Sequence, residues 1–308
     1  MYINFNNFAN FSPANFQGEL AALFAAALWA VSSSVYARIG QRIPPLELNL
    51  IKGTIAIALL IGTLVLQNNL SVAIAPNQMY LLLLSGVLGI GLGDTAFFFA
   101  LNYLGARRAL LMETLAPPIT AILALIFLQE KLSLVACGGI LLTILGVAWV
   151  VTERVPGSNS NIDLKQGIGF GILAAIALAG GAVISRQVLA TTDISPLLSA
   201  LLRLTGGVLI LLPWTWIKQR SRFQFKTLLS VRIITAIFFA AFAGTYLGIW
   251  LQQIAIKFTA AGIALTLTNT SPLFAILIAL LMKQQVSQRA VLGVVIALGG
   301  ITVLLLLG

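Results

Sequence analysis

The chain is divided into apolar runs of about 20 residues, and that run length constrains the fold more than any other feature. An α-helix rising 1.5 Å per residue needs about 20 residues to cross ~30 Å of hydrocarbon. A membrane-spanning β-strand would need only about 10, alternating in polarity. The runs here are too long and too evenly apolar for strands. Composition agrees, since 59% of the 308 residues are hydrophobic and 8% charged, against about 25% charge in a soluble domain. Mean hydropathy is +1.03. The expectation is an all-α integral membrane protein with ten transmembrane helices in a lipid bilayer.

Polar, Pro and Gly punctuation places these spans near residues 19–38, 46–66, 78–102, 108–128, 133–151, 167–188, 196–216, 229–255, 260–281 and 290–307. Residues 1–17 form an Asn/Phe-rich tail without Lys or Arg, lacking the basic region of a secretory signal. The longest connection, 153–166, contains the polar stretch "RVPGSNSNIDLK" and separates a unit at 18–152 from one at 167–308.

Net charge is +10. In a soluble chain that would suggest a nucleic-acid partner, but membrane proteins concentrate Lys and Arg in cytoplasmic loops. The connections after spans 1, 3, 5, 7 and 9 carry thirteen basic residues (Arg38, Arg42, Arg107, Arg108, Arg154, Lys165, Lys218, Arg220, Arg222, Lys226, Arg232, Lys283, Arg289). The other side carries three: Lys131, Arg186 and Lys257. This asymmetry places the odd-numbered connections in the cytoplasm and both termini outside a cell membrane, with no nucleic-acid partner.

The two units repeat. At an offset of 155 without gaps, Gly89 matches Gly244, Gly93 matches Gly248, Pro117 matches Pro272 and Gln129 matches Gln284. Nearer the start of each unit the offset is 151, pairing Pro45 with Pro196 and Lys52 with Arg203. Five spans is an odd number, so the second unit enters the membrane from the opposite side. The expected architecture is two inverted-topology five-helix repeats around a central cavity, an arrangement that supplies two related conformations to secondary transporters.

The stretch "GLGDTAFFFALNYLGARRALLMETLAPPITAILALIFLQEKLS" (Gly91–Ser133) resembles the EamA-type domain of the drug/metabolite transporter superfamily. The segment "FTAAGIALTLTNTSPLFAILIALLMKQQVS" (Phe258–Ser287) is similar to the same domain, as is "ALWAVSSSVYARIG" (Ala27–Gly40). The resemblance covers the chain from Gly18 onward. It implies ten helices around a cavity and export or exchange of small solutes such as amino acids. The acidic residue such chains often carry after span 4 is present as Glu130, whereas its second-half counterpart is Gln285.

An ionisable side chain within a span costs about 2.5–3.5 kcal/mol on insertion scales and so faces a cavity or a partner. Four residues are singled out as substrate-pathway candidates: Lys52, Asp94, Glu113 and Arg203. Lys52 is expected either to pair with Asp94 or Glu113 or to snorkel to the interface. The carboxylates have Ile249 and Thr268 as repeat counterparts, so acidic chemistry is confined to the first unit. A carboxylate held out of water binds its proton more tightly, which makes Asp94 and Glu113 candidates for coupling proton movement to solute movement; a structural ion pair is the alternative.

Tyr246, Trp250 and Gln253 follow helical spacing in span 8, and Thr266, Asn269 and Thr270 do so in span 9, so each set is expected to share a face on the cavity. Interhelical hydrogen bonds and interface aromatics are the alternative. Trp29 and Ser32–Ser34 are weaker candidates. Gly89, Gly93, Gly244 and Gly248 are expected to let helices approach closely, and Pro117, Pro118 and Pro272 to bend spans 4 and 9.

Cys137 is the single cysteine and His is absent, which leaves no intramolecular disulfide, no Ser-His-Asp arrangement and no expected metal or other cofactor. A G-x-S-x-G elbow is also missing. These absences argue against a membrane-embedded lipid-modifying enzyme. The expected function is secondary transport of small organic metabolites by alternating access, as efflux or exchange, with facilitative import of the same solutes as the alternative. A homodimer is compatible with the sequence.

Overall fold

The computed structural model describes residues 16–39, 43–67, 74–104, 109, 112–151, 164–218, 231–281 and 287–307. Each expected span is helical there: Gln17–Ile39, Pro45–Leu66, Pro76–Leu104, Ala116–Phe127, Leu134–Val151, Leu164–Thr191, Pro196–Lys218, Val231–Phe258, Ala261–Thr268 with Ser271–Leu281, and Gln288–Leu307. Among the described residues, seven helical stretches are long and apolar enough to cross a membrane. Spans 2, 3 and 7 begin at Pro45, Pro76 and Pro196, where the missing N–H costs nothing and the fixed φ suits a first turn.

Large apolar side chains point outward, among them Phe127, Leu134, Leu145, Phe239, Leu281 and Val295. Fully buried positions are instead rich in alanine, including Ala22, Ala25, Ala56, Ala175, Ala200 and Ala297. In lipid there is no hydrophobic drive between helices, so close backbone approach through small residues does the packing.

The packing follows the repeat. Span 3 lies against spans 6 and 7, and span 8 lies against spans 1 and 2. Spans 2 and 7, 4 and 9, and 5 and 10 pair with one another. Exchanging the two units maps each of these contacts onto another, as a two-fold axis in the membrane plane requires. The chain is an all-α membrane protein of two inverted five-helix repeats.

Two features depart from the sequence expectation. Spans 3 and 8 are not α-helical throughout: each contains a π-helical segment at an equivalent place, Val87–Asp94 and Ala241–Leu247. The glycine pairs therefore sit in or beside i→i+5 turns rather than one α-turn apart. Gly89 faces Gly181 and Gly93 faces Leu178, both on span 6, while Gly91 faces Gly207 of span 7. In the second repeat Gly244 and Gly248 make room for Trp29 and Ser32 of span 1.

The prolines also break their spans rather than bend them. Span 4 has a turn at Thr114–Leu115 before a new helix starts at Ala116. Span 9 ends a helix at Thr268, turns through Asn269–Thr270 and restarts at Ser271. Pro117 and Pro272 each occupy the first turn of the second helix, the one place where a proline's lack of an N–H is harmless. Thr266, Asn269 and Thr270 consequently do not share one continuous helix face.

Candidate functional site

The first π segment packs against spans 6 and 7 and the second against spans 1 and 2, and a side chain from a neighbouring span bonds a carbonyl in each. Asn49 of span 2 donates through Nδ2 to the Ile90 carbonyl at 3.1 Å and to Thr95 Oγ1 at 3.3 Å. Trp29 of span 1 donates its indole N–H to the Gly244 carbonyl at 2.6 Å. Just before the first π segment, Ser85 Oγ donates to the carbonyl of Gly181 in the α-helix of span 6 at 2.5 Å, tying span 3 to span 6. Irregular backbone at membrane depth survives only when buried in protein and supplied with such partners.

A polar cluster forms around the end of the first π segment. Lys52 Nζ lies 2.7 Å from Asp94 Oδ2, with side-chain exposures of 10% and 26%. The same ammonium sits 5.1 Å from the Phe98 ring centroid and 5.7 Å from that of Tyr36, within range of a cation–π attraction. Tyr36 in turn shares a 3.1 Å hydrogen bond with Thr245 in the second π segment. Lys52 is thus held in the protein and does not snorkel. Glu113, half-buried beside the break in span 4, joins neither ion pair found among the described residues, yet the charges of Asp94 and Lys52 both act on it.

Arg203 is 3% exposed, and its Nε and Nη1 have no hydrogen-bond partner among the described residues. It lies against Gly86 and Gly89 of span 3, so Gly86 packs onto the Arg203 backbone where any Cβ would collide.

The two helix breaks meet. Thr114 and Pro117 of span 4 line one small cleft with Thr266 and Asn269 of span 9, closed from the side by Thr143, Ile144 and Val147 of span 5. Thr114 and Asn269 are repeat counterparts at the offset of 155. The hydroxyls of Thr268 and Thr270 and the amide of Asn269 donate back to Leu265 and Leu267 carbonyls, which stabilises the turn.

The span 8 set does not act as one stripe. Tyr246 and Trp250 stand side by side at 6.0 Å between ring centroids, and the Tyr246 hydroxyl meets Thr63 Oγ1 at 2.7 Å. Gln253 is fully buried instead, its Oε1 accepting from Ser185 at 2.5 Å and Ser199 at 2.9 Å. Among Trp29 and the neighbouring serines, Trp29 and Ser32 line the approach of span 1 to Gly244.

A second polar cluster links the repeats where spans 4, 6, 8 and 9 meet. Span 4 closes with Leu128 and a left-handed Gln129 at φ 57°, and the Glu130 N–H returns to the Ala124 carbonyl at 3.3 Å, a helix ending that directs the next side chain sideways. Glu130 Oε1 then accepts from Arg186 Nε at 2.5 Å, and Oε2 accepts from the Ala261 N–H at 3.0 Å. Arg186 Nη1 also donates to the Ile256 and Lys257 carbonyls at 2.8 and 2.7 Å, and Lys257 Nζ to the Ile194 carbonyl at 2.8 Å. Glu130 belongs to the first repeat and its partners to the second.

Asn49, three residues from Lys52 and on its helix face, is uncharged, and nothing in the local sequence marks it as a functional residue. Arg186 is one of the three basic residues on the less basic side of the orientation count. Among the basic residues used in that count, Arg42, Arg107, Arg108, Arg154, Arg220, Arg222, Lys226 and Lys283 lie outside the described residues, as do Gln284 and Gln285.

Comparison with known proteins identifies the architecture. A search of the curated proteins gives no match. A solved structure titled "Crystal structure of protein" superposes with a TM-score of 0.76 over 94% of this chain and 96% of its own, at 16% identity, a likeness of fold. The profile of the EamA-like transporter family matches residues 16–152 and again 165–306, one match per repeat. The chain belongs to the EamA-like transporter family of the drug/metabolite transporter superfamily and is a multi-pass membrane transporter.

Proposed function

We propose that this transporter moves small organic metabolites by alternating access around a site bounded by the two π segments and the facing breaks of spans 4 and 9. The observation that carries the reading is the pairing of interrupted helices at repeat-equivalent positions, Thr114–Leu115 and Asn269–Thr270, across one cleft. Interruptions at corresponding places in inverted halves are where secondary transporters hold their substrates. Lys52, Asp94, Glu113, Arg203, Tyr246, Trp250 and Asn269 provide both charges and aromatic surface nearby, a mixture that suits an amphipathic organic solute better than a bare ion. Gln253, with its oxygen taken by two serines, serves helix packing in this reading.

The transport direction is efflux or exchange, with both termini outside the cell membrane, an orientation supported by the distribution of Lys and Arg. Asp94 and Glu113 are the groups available to carry a coupling proton. Proteoliposomes loaded with a mixed pool of amino acids and assayed for exchange against each labelled member test this reading. Saturable exchange that is lost in Asn269→Leu supports it, whereas exchange unaffected by changes at Asn269, Trp250 and Asp94 alike removes the site.

A further inference from the structure

The repeats differ in how they treat their buried cation. In the first, Lys52 of span 2 has the Asp94 carboxylate of span 3 at 2.7 Å. In the second, the equivalent cation is Arg203, and the residue equivalent to Asp94 is Ile249, a buried apolar side chain. Arg203 therefore lacks the internal carboxylate that its counterpart has. Among the described residues its buried Nε and Nη1 have no hydrogen-bond partner, and neither ion pair includes it. Its Nη2 points at Gly89, where a Cβ would lie only 3.0 Å away. Leaving a buried charge uncompensated is strongly destabilising. Asp94 is close enough for its charge to act on Arg203, but its Oδ2 is already bonded to Lys52.

A guanidinium presents planar, forked donors that match a carboxylate. Ala200 and Leu204, helix neighbours of Arg203, belong to one buried apolar cluster with Tyr246 and Ile249, and the partly buried Trp250 packs against that cluster, apolar surroundings that suit the carbon skeleton of a small solute. We propose that Arg203 is the docking point for a carboxylate of the transported solute, which takes at Arg203 the place that Asp94 takes at Lys52. This assignment rests on the central-site reading above and adds a charge requirement: the solute is an organic carboxylate or zwitterion, and its neutral or cationic analogues are refused.

The test uses the full chain purified in detergent, with each common L-amino acid and its carboxamide as probes and the shift in melting temperature as readout. At least one acid stabilises the protein, and its amide needs at least tenfold higher concentration for the same shift. Arg203→Gln abolishes the discrimination and Arg203→Lys keeps part of it. Ile249→Asp, which restores an internal carboxylate without removing the cation, weakens the acid at least tenfold while the protein still melts cooperatively. No shift with any acid, equal shifts with acid and amide, or full discrimination in Arg203→Gln overturns the proposal. Proteoliposome exchange separates it from the broader reading. Acid and amide exchanged equally would retain the central site and remove the docking role, while acid bound through Arg203 but never exchanged would retain the docking role and remove the central site.

Discussion

Lys52 Nζ and Asp94 Oδ2, 2.7 Å apart, join span 2 to span 3 inside the first repeat, and no equivalent pair is possible in the second, where Arg203 and Ile249 stand at those positions. Removing one member of such a pair strands the other charge, whereas removing both leaves no orphan. Asp94→Asn is expected to cost about 3 kcal/mol, and the double change Lys52→Met, Asp94→Leu to recover most of it. Reversible denaturation of the purified protein checks this, and a double variant no more stable than the single one would contradict it.

Glycines at the crossing of spans 3 and 7 allow a second prediction. A Cβ on Gly86 would strike the Arg203 backbone, which has no freedom to yield, while Gly62 and Gly169 have open space around them. Gly86→Ala should destabilise by about 1–3 kcal/mol, the usual cost of overpacking. Gly62→Ala should leave the melting temperature unchanged or slightly raised, because alanine is the better helix former. Melting of the three proteins in one detergent decides the matter.

The 2.6 Å bond from the Trp29 indole to the Gly244 carbonyl predicts a moderate loss for Trp29→Phe. The ring volume is largely kept and one donor to the π segment is lost, worth about 1 kcal/mol by the scale of hydrogen bonds measured in membranes. Trp29→Ala should cost more, about 3–5 kcal/mol, through the cavity it leaves beside Gly248.

Asp94 and Glu113 sit within reach of one another's charge, and exchange driven by a pH gradient tests their role. If they carry the coupling proton, Asp94→Asn or Glu113→Gln makes exchange indifferent to an imposed gradient while gradient-free exchange persists. A gradient response that survives in both variants would assign coupling elsewhere.

The architecture was legible because it is written in long-range periodicity. Run length gave helices, run count gave ten spans, and an odd number of spans per repeat gave inversion. The site was less so. Prolines announce a disturbance but do not distinguish a bend from a break: Pro117 and Pro272 could have kinked a continuous helix, and only the threonine and asparagine hydrogen bonds just before Pro272 stabilise a complete turn. The π segments had no pattern of their own, since a single residue of extra backbone is absorbed without changing hydrophobicity. Lys52 could reach either Asp94 or Glu113 as far as the sequence goes, and only the packing of span 2 on span 3 puts its ammonium on Asp94. The Glu130–Arg186 clasp joins residues 56 positions apart on separate repeats, a relationship no local spacing encodes.

That clasp gives the most direct test of alternating access by the two halves. Spin labels at Lys131 and Asp193 report the Glu130 end of the bundle, and labels at Tyr103 and Arg232 report the opposite end. Glu130→Gln removes the charge that holds Arg186 and should shift the population toward a form open at the Glu130 end. Distances measured by pulsed electron resonance in proteoliposomes should lengthen at the first pair and shorten at the second in the same variant. Distances that lengthen at both ends, or change at one end alone, would contradict an exchange between two inverted conformations.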